Sequence, residues 1–364
     1  KGEVRLNNRI GQLDAIRGVA SFTVVLHHLY LVLPLLPTII KYSPLRVLVN
    51  GHAPVIMFFI LSGFVLALPY WNGTAGAYRA FVIRRFFRIY IPYIASIFLA
   101  VILASFLANG SIPGIDAWQS GISIRLLFEH VLFLYNPDTQ AFNNVVWSLV
   151  HEMRISLIFP FIVLSIQRIS IRKCLLICLL ISLPNASRGF FTFHEAFASV
   201  AETLHYTSMF IIGALIARNR DRLVSSYLNW SKVRKWSSLL IAFVIYSFST
   251  VINSIFLELG LPNEFVISDY AATMASSVMI IFALGSAKIS KLLLTTPLIF
   301  LGTISYSLYL YHILVLFSLM YLFYGSMPNT LIYLSTIMIS VLLAALSWRF
   351  VERPSIALGR RYST

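Results

Sequence analysis

Ten apolar runs constrain this chain more than any other feature. They lie near residues 13–36, 54–71, 86–108, 145–166, 172–184, 204–217, 236–257, 268–287, 297–324 and 329–350. Most approach the roughly 20 residues that a helix needs to cross a bilayer. The runs are continuous, whereas a transmembrane β-barrel shows segments of about ten residues with alternating polarity. Composition agrees: 59% of residues are hydrophobic, 11% are charged and mean hydropathy is +0.83. Soluble domains run near 45–50% apolar and about 25% charged. The expected fold is all-α, a polytopic transmembrane helical bundle of about ten spans. The fifth and sixth runs are short and flanked by polar residues. A further apolar stretch, Ile122–Tyr135, carries Arg125, Glu129 and His130 and reads as interfacial or re-entrant.

The net charge of +15 has a membrane explanation, because cytoplasmic loops collect Lys and Arg. With the N-terminus inside, one cytoplasmic loop holds Arg79, Arg84, Arg85 and Arg88, and the next holds Arg168, Arg172 and Lys173. Arg218, Arg220, Arg222, Lys232, Arg234 and Lys235 follow, then Lys288 and Lys291, then Arg349, Arg353, Arg360 and Arg361. The opposite loops hold Lys41, Arg46, Arg125 and Arg188 with Asp116, Glu129, Asp138, Glu195, Glu202, Glu258, Glu264 and Asp269. This bias supports an even number of spans with both termini cytoplasmic. No recognition motif accompanies the positive charge, so nucleic acid is not an expected partner. Cys174 and Cys178, i and i+4 in one apolar run, read as small core residues, and no metal is expected. The first run is too long for a cleavable signal peptide and lacks its small-residue cleavage site. Residues 1–355 read as one membrane domain and 356–364 as a short basic cytoplasmic tail, with no soluble extracytoplasmic domain.

Intramembrane ionisable groups cost roughly 2–3 kcal/mol each near a bilayer centre and are functional candidates by default. The first run contains Asp14, Arg17 and His28. Arg17 and His28 are close to three helical turns apart, so they share a face about 16 Å apart along the axis. His28 and His312 each lie about 22 Å from the cytoplasmic start of their spans, and His151 and Glu152 reach a similar depth from the other side. An imidazole beside a carboxylate is a general-base arrangement; the plainer alternative is a polar network that locks helices. Arg84 and Arg88 share a helix face with Arg85 beside them. Guanidinium groups suit bidentate phosphate capture, and anchoring to anionic lipid fits the pattern equally. Gly63, within Met57–Phe64, permits close helix approach.

These stretches resemble the acyltransferase-3 family of integral membrane acyltransferases over nearly the whole chain. Leu13-Asp14-Ala15-Ile16-Arg17-Gly18-Val19-Ala20 is similar to its opening signature, and Arg17 followed by ten residues and His28 matches its Arg/Lys-x10-His motif. Phe58-Phe59-Ile60-Leu61-Ser62-Gly63-Phe64 and Arg84-Arg85-Phe86-Phe87-Arg88-Ile89-Tyr90-Ile91-Pro92 are similar to its next two segments. Trp147-Ser148-Leu149-Val150-His151-Glu152 resembles its Trp-Ser-Leu-x-x-Glu. The run from Leu301 to His312, which contains Tyr306, resembles its late Leu-Gly-x-Ile-Ser-Tyr stretch, and Glu352-Arg353-Pro354 ends the chain in family style. One departure stands after Glu152, where Met153-Arg154-Ile155-Ser156 replaces the common Glu-Gln-Phe-Tyr. It marks a subfamily difference in acceptor or acyl group.

The resemblance implies transfer of an acyl group, usually acetyl, from cytoplasmic acetyl-CoA or another acyl-CoA to a hydroxyl of an extracytoplasmic carbohydrate or glycolipid in a bacterial cytoplasmic membrane. On that reading Arg84, Arg85 and Arg88 hold donor phosphate, and Arg17 holds donor phosphate or pairs with Asp14. His28 acts as general base or brief acyl carrier, and Glu152 orients or charge-stabilises it. Asp14, Ser62, Trp147, His151, Arg154, Tyr306 and His312 serve as substrate-binding or supporting residues. A different class, a transporter or channel for a small anion, would use the same line of cations but predicts inverted repeats and paired broken helices, neither of which is seen. A non-polysaccharide acceptor is a further alternative.

Overall fold

The computed structural model describes residues 10–33, 39–108, 110–113, 115–119, 121–133, 138–189, 194–260 and 265–363. Among them every regular element is a helix. Ten helices run the length of the bundle: α1 Gly11–Val32, α2 His52–Trp71, α3 Tyr78–Leu107, α4 Trp147–Ile166, α5 Ile171–Ala186, α6 Glu195–Arg218, α7 Lys232–Glu258, α8 Val266–Gly285, α9 Thr296–Phe323 and α10 Asn329–Ser347. A π turn, Trp348–Glu352, leads into α11, Arg353–Arg361. Nine of these described helices are long and apolar enough to cross a membrane. The exception is α5, which has 16 residues. It packs beside α6, with Cys178 against Ser208 and Ser182 against His205. The protein is an integral membrane protein.

Neighbouring helices meet at two distinct ends. Arg218 at the close of α6 bonds the Ile166 and Ile169 carbonyls after α4. The Trp71 indole at the close of α2 donates to the Ala214 carbonyl. The Tyr78 hydroxyl at the start of α3 donates to Leu157 of α4. α1 also begins at this end, where Gln12 reaches Ser290. α11 lies along α3, with Ser355 donating to the Phe87 carbonyl and Phe87 stacked on Tyr362. The basic segments therefore gather at one end, and His52, Trp147, Glu202 and Asp269 lie towards the other. The stretch read from sequence as a tail beyond residue 355 is helical and docked here.

Two backbone-close pairs fix the centre. Residues 18 and 302, 21 and 305, and 28 and 312 face one another at a constant offset of 284 in α1 and α9, so these helices run parallel in register. A Cβ on Gly18 or Gly302 would run into the partner's backbone. α2 and α6 run antiparallel, Gly63 against Phe210 and Gly213 against Ile60, again with no room for a Cβ. Between membrane helices no hydrophobic drive favours one neighbour, so glycines that let backbones approach set the pairing.

Three sequence expectations need correction. The Arg79–Arg88 cluster is not a loop, because α3 starts at Tyr78 and carries it on its first three turns. Glu202 belongs to α6 rather than a loop and bonds Arg188 and His151. Asp269 is fully buried in α8. Hydropathy trims a helix where charge begins, but internal pairing lets the helix continue past that point. The amphipathic stretch near residue 122 forms the helix Ile124–Leu132, with Ile124 and Phe128 exposed and His130 buried, in keeping with an interfacial element; Tyr135 lies outside the described residues.

Candidate active site

α4 organises the polar centre of the bundle. Its positions 148, 152 and 156 form one stripe at i, i+4 and i+8, and 147, 151 and 154 form another. The first stripe turns towards α2, α3 and α9. Glu152 Oε1 accepts from Ser62 Oγ at 3.0 Å and from Arg85 Nη2 at 2.9 Å. Arg85 Nη2 also donates to Ser156 Oγ at 2.9 Å. Ser148 Oγ lies 2.8 Å from the Tyr309 hydroxyl, which donates to the Val145 carbonyl.

These side chains wall an inner cavity. Arg17, Ser62, Arg85, Arg88, Glu152 and Tyr306 supply its polar surface, with Phe58 and Tyr309 at one side. Arg17 lies 3.8 Å from Asp14, one turn back on α1. The Tyr306 hydroxyl donates to the Ile89 carbonyl, tying α9 to α3. Val65, Leu66, Arg85 and Arg88 also line a second cavity at the basic end. There Arg84 and Arg360 join them with Tyr70 and Phe81, and no carboxylate is present among the described lining residues. The four arginines come from α3 and α11, two helices the sequence reading kept apart.

His28 faces α9. Its Nδ1 lies 3.0 Å from the Val24 carbonyl and 3.1 Å from His312 Nε2. His312 Nδ1 lies 3.0 Å from the Leu308 carbonyl. A carbonyl only accepts, so each Nδ1 carries its proton. In the neutral rings the single His28 Nδ1–H is then shared between the Val24 carbonyl and His312 Nε2, and His28 keeps a bare Nε2 lone pair, the one a general base needs. His27 is turned away, with Nδ1 2.6 Å from the Val49 carbonyl and its ring against Gly51. Neither His28 nor His312 lines the inner cavity. They sit behind its Phe58–Tyr309 side, with the Tyr309 and His312 ring centroids 6.3 Å apart.

The sequence profile of the acyltransferase-3 family, described as an acyltransferase domain, matches residues 10–349. The chain belongs to the acyltransferase-3 family. It is also 31% identical over 131 residues to the acyltransferase MdmB of Streptomyces mycarofaciens. That alignment covers 35% of this chain and 33% of the relative, so the chain spans about a third of that protein's length. No solved structure matches it closely enough to count as similar.

The acyltransferase-3 motifs thus converge from five helices, α1, α2, α3, α4 and α9, although not in the grouping read from sequence. His28 meets His312, whereas Glu152 bonds Arg85 and Ser62 rather than an imidazole. His151 lies on the second stripe of α4, with Nδ1 2.9 Å from Thr203 Oγ1 and Nε2 3.4 Å from Glu202 Oε2. Trp147 lies between His52 and His151, its ring stacked on His52 at 6.3 Å. Arg154, part of the departure after Glu152, is half-buried and donates to Ser199 and Thr203.

Sequence reasoning missed several partners. Ser156, part of the departure after Glu152, holds Arg85. Arg360 enters the second cavity from a segment read as a tail. Asp269 is bonded on both sides, by His52 Nε2 at 2.6 Å and His205 Nε2 at 3.2 Å. The only available signal was the rarity of ionisable residues in apolar runs, which flags Asp269 but not its partners.

Proposed function

We propose that this protein moves an acyl group, acetyl in the simplest case, from acyl-CoA at the basic end to a hydroxyl of a carbohydrate or glycolipid at the opposite end. The observation that carries this reading is the pair of adjoining cavities, which leads from Arg84, Arg88 and Arg360 past Arg17 and Arg85 to Tyr309, one helical turn from His312. The concentration of Lys and Arg makes the basic end the cytoplasmic one, where acyl-CoA is available. Guanidiniums at the entrance take the phosphates, and the pantetheine arm extends between Arg17 and Tyr306. The thioester comes to rest at the Phe58–Tyr309 side, and these two rings must turn aside for it to meet the imidazole pair behind them.

His28 Nε2 takes the proton of the acceptor hydroxyl as its oxygen attacks the thioester carbonyl carbon. The new C–O bond forms, the C–S bond breaks, and the proton passes to the thiolate, so that CoA leaves as the thiol. His312 steadies the ring by accepting from His28 Nδ1. Glu152 keeps Arg85 extended into the cavity. The test is turnover of labelled acyl-CoA by purified protein in proteoliposomes containing bacterial envelope glycolipid. Release of CoA thiol with label in the glycolipid is expected; intact acyl-CoA under these conditions refutes the reading.

A further inference from the structure

The inner cavity changes character along its length. Its lining positions on α2 fall on one face of the helix from Val55 to Leu66. Val65 and Leu66 also line the cavity at the basic end, and Phe58 lies about 10 Å further along the axis at helical rise. The charged groups stay on the near side. Arg85 and Arg88 border both cavities, Glu152 is tied to Ser62, and Arg17 is level with Leu301, two turns short of Tyr309. Beyond Ser62 the described lining is Val55, Phe58, Phe59 and Leu149 with the hydroxyls of Ser148 and Tyr309. We propose that this far end is an acyl pocket for a short, uncharged aliphatic group, and that Phe58 limits the length of that group. The inference deepens the acyl-transfer reading given above and rests on it.

Polarity selects the group. Ser148 Oγ lies 2.8 Å from the Tyr309 hydroxyl, which donates to the Val145 carbonyl, so the two hydroxyls of the far end are bonded already. No described cation lines this end. On the near side Arg85 is paired with Glu152, and Arg17 faces Asp14. An acyl group ending in a carboxylate would lose its water here with no opposite charge beside it, a costly burial. An alkyl group gains by leaving water. Donors of the acetyl and propionyl kind fit this lining, and those of the malonyl and succinyl kind do not.

Two rings set the length. Phe58 meets Tyr309 edge to face with centroids 5.7 Å apart, and His312 lies behind Tyr309. The outer cavity beside His151 and Glu202 shares no described lining residue with the inner one, so the inner cavity ends at these rings. The acyl group continues past the sulfur of a seated donor and is the part that enters here. Tyr309 is pinned through its hydroxyl. Phe58 is half-buried and has no polar atom to hold it, so it is the ring that gives way. A longer chain has to displace the Phe58 ring, and truncating that ring opens the room the chain needs.

Thioethers of CoA cannot transfer their alkyl group, so their binding is read apart from turnover. The purified protein is titrated with CoA, S-ethyl-CoA, S-hexyl-CoA and S-carboxyethyl-CoA. The wild type is expected to bind S-ethyl-CoA more tightly than either of the other thioethers by about tenfold or more, the size of an ordinary overpacking penalty. Phe58→Ala should remove the penalty on S-hexyl-CoA and keep that on S-carboxyethyl-CoA, with Phe58→Leu between the wild type and Phe58→Ala. Wild-type protein that binds S-hexyl-CoA or S-carboxyethyl-CoA as tightly as S-ethyl-CoA overturns the inference, and this comparison needs no variant. So does an unchanged ratio of hexyl to ethyl affinity in the Phe58 variants. CoA that binds with a flat series leaves the acyl-transfer reading standing and refutes this inference alone. CoA and thioethers that all fail to bind refute both.

Discussion

Removing either member of the Arg85–Glu152 pair should destabilise the bundle more than removing both. The Arg85 side chain is 9% exposed and that of Glu152 17%. Their contact at 2.9 Å is supported by Ser62 on one side and Ser156 on the other. Glu152→Leu leaves a buried guanidinium with only Ser156, and losing one partner of a buried pair costs about 3–5 kcal/mol. Arg85→Leu belongs near the lower end of that range, because Glu152 keeps Ser62 and is more accessible. Glu152→Gln retains an acceptor oxygen and should cost about 1.5–3 kcal/mol, the worth of a hydrogen bond to a charged group. The double Leu variant replaces the pair with apolar volume, a change that is often near neutral or stabilising. A thiol-reactive dye reads unfolding directly, because Cys174 and Cys178 are buried in the native bundle. If the double variant loses the sum of the single losses, the pair is not a coupled unit and its place in the cavity wall has been misjudged.

Arg360→Gln should raise the KM for acyl-CoA while leaving that for acyl-pantetheine unchanged, because Arg360 faces the cavity at the basic end and acyl-pantetheine lacks the nucleotide; steady-state kinetics with both donors decides it, and equal shifts would refute it. Gly63→Ala should lower thermal stability by about 1–3 kcal/mol, the usual cost of overpacking, since its Cβ meets the Phe210 backbone; an unchanged unfolding midpoint would refute the close packing of α2 and α6.

Much of the fold was legible in the sequence for physical reasons. Long apolar runs admit few structures in a bilayer, and α1, α2, α4, α9 and α10 start close to where hydropathy places them. The starts of α3 and α6 were not legible, because Arg84, Arg85 and Arg88 in the one and Glu195 and Glu202 in the other interrupt the apolar run, and these charges are paired or line cavities. Spacing along one helix was equally informative: it put Arg17 and His28 on one face and separated His28 from His27. Common depth was a weaker guide. It joined His28 to His312, which α1 and α9 hold in parallel register, but it also grouped His151 and Glu152 with them. Those two adjacent residues point about 100° apart on α4, into different cavities. Rotation about a helix relative to its neighbours is set by close contacts such as Gly63 on Phe210, and one sequence does not encode that choice locally.

The central claim is that His28 performs the proton transfer. The direct measurement is single-turnover acyl transfer by purified His28→Ala and His27→Ala, with acyl-CoA binding measured on the same preparations. His28→Ala should lose about 10²–10⁴-fold in rate, the usual contribution of a general base, and still bind acyl-CoA. His27→Ala, whose ring is committed to the Val49 carbonyl, should retain transfer. Near-normal transfer by His28→Ala would contradict the account, and loss in His27→Ala alone would move the base to the other face of α1.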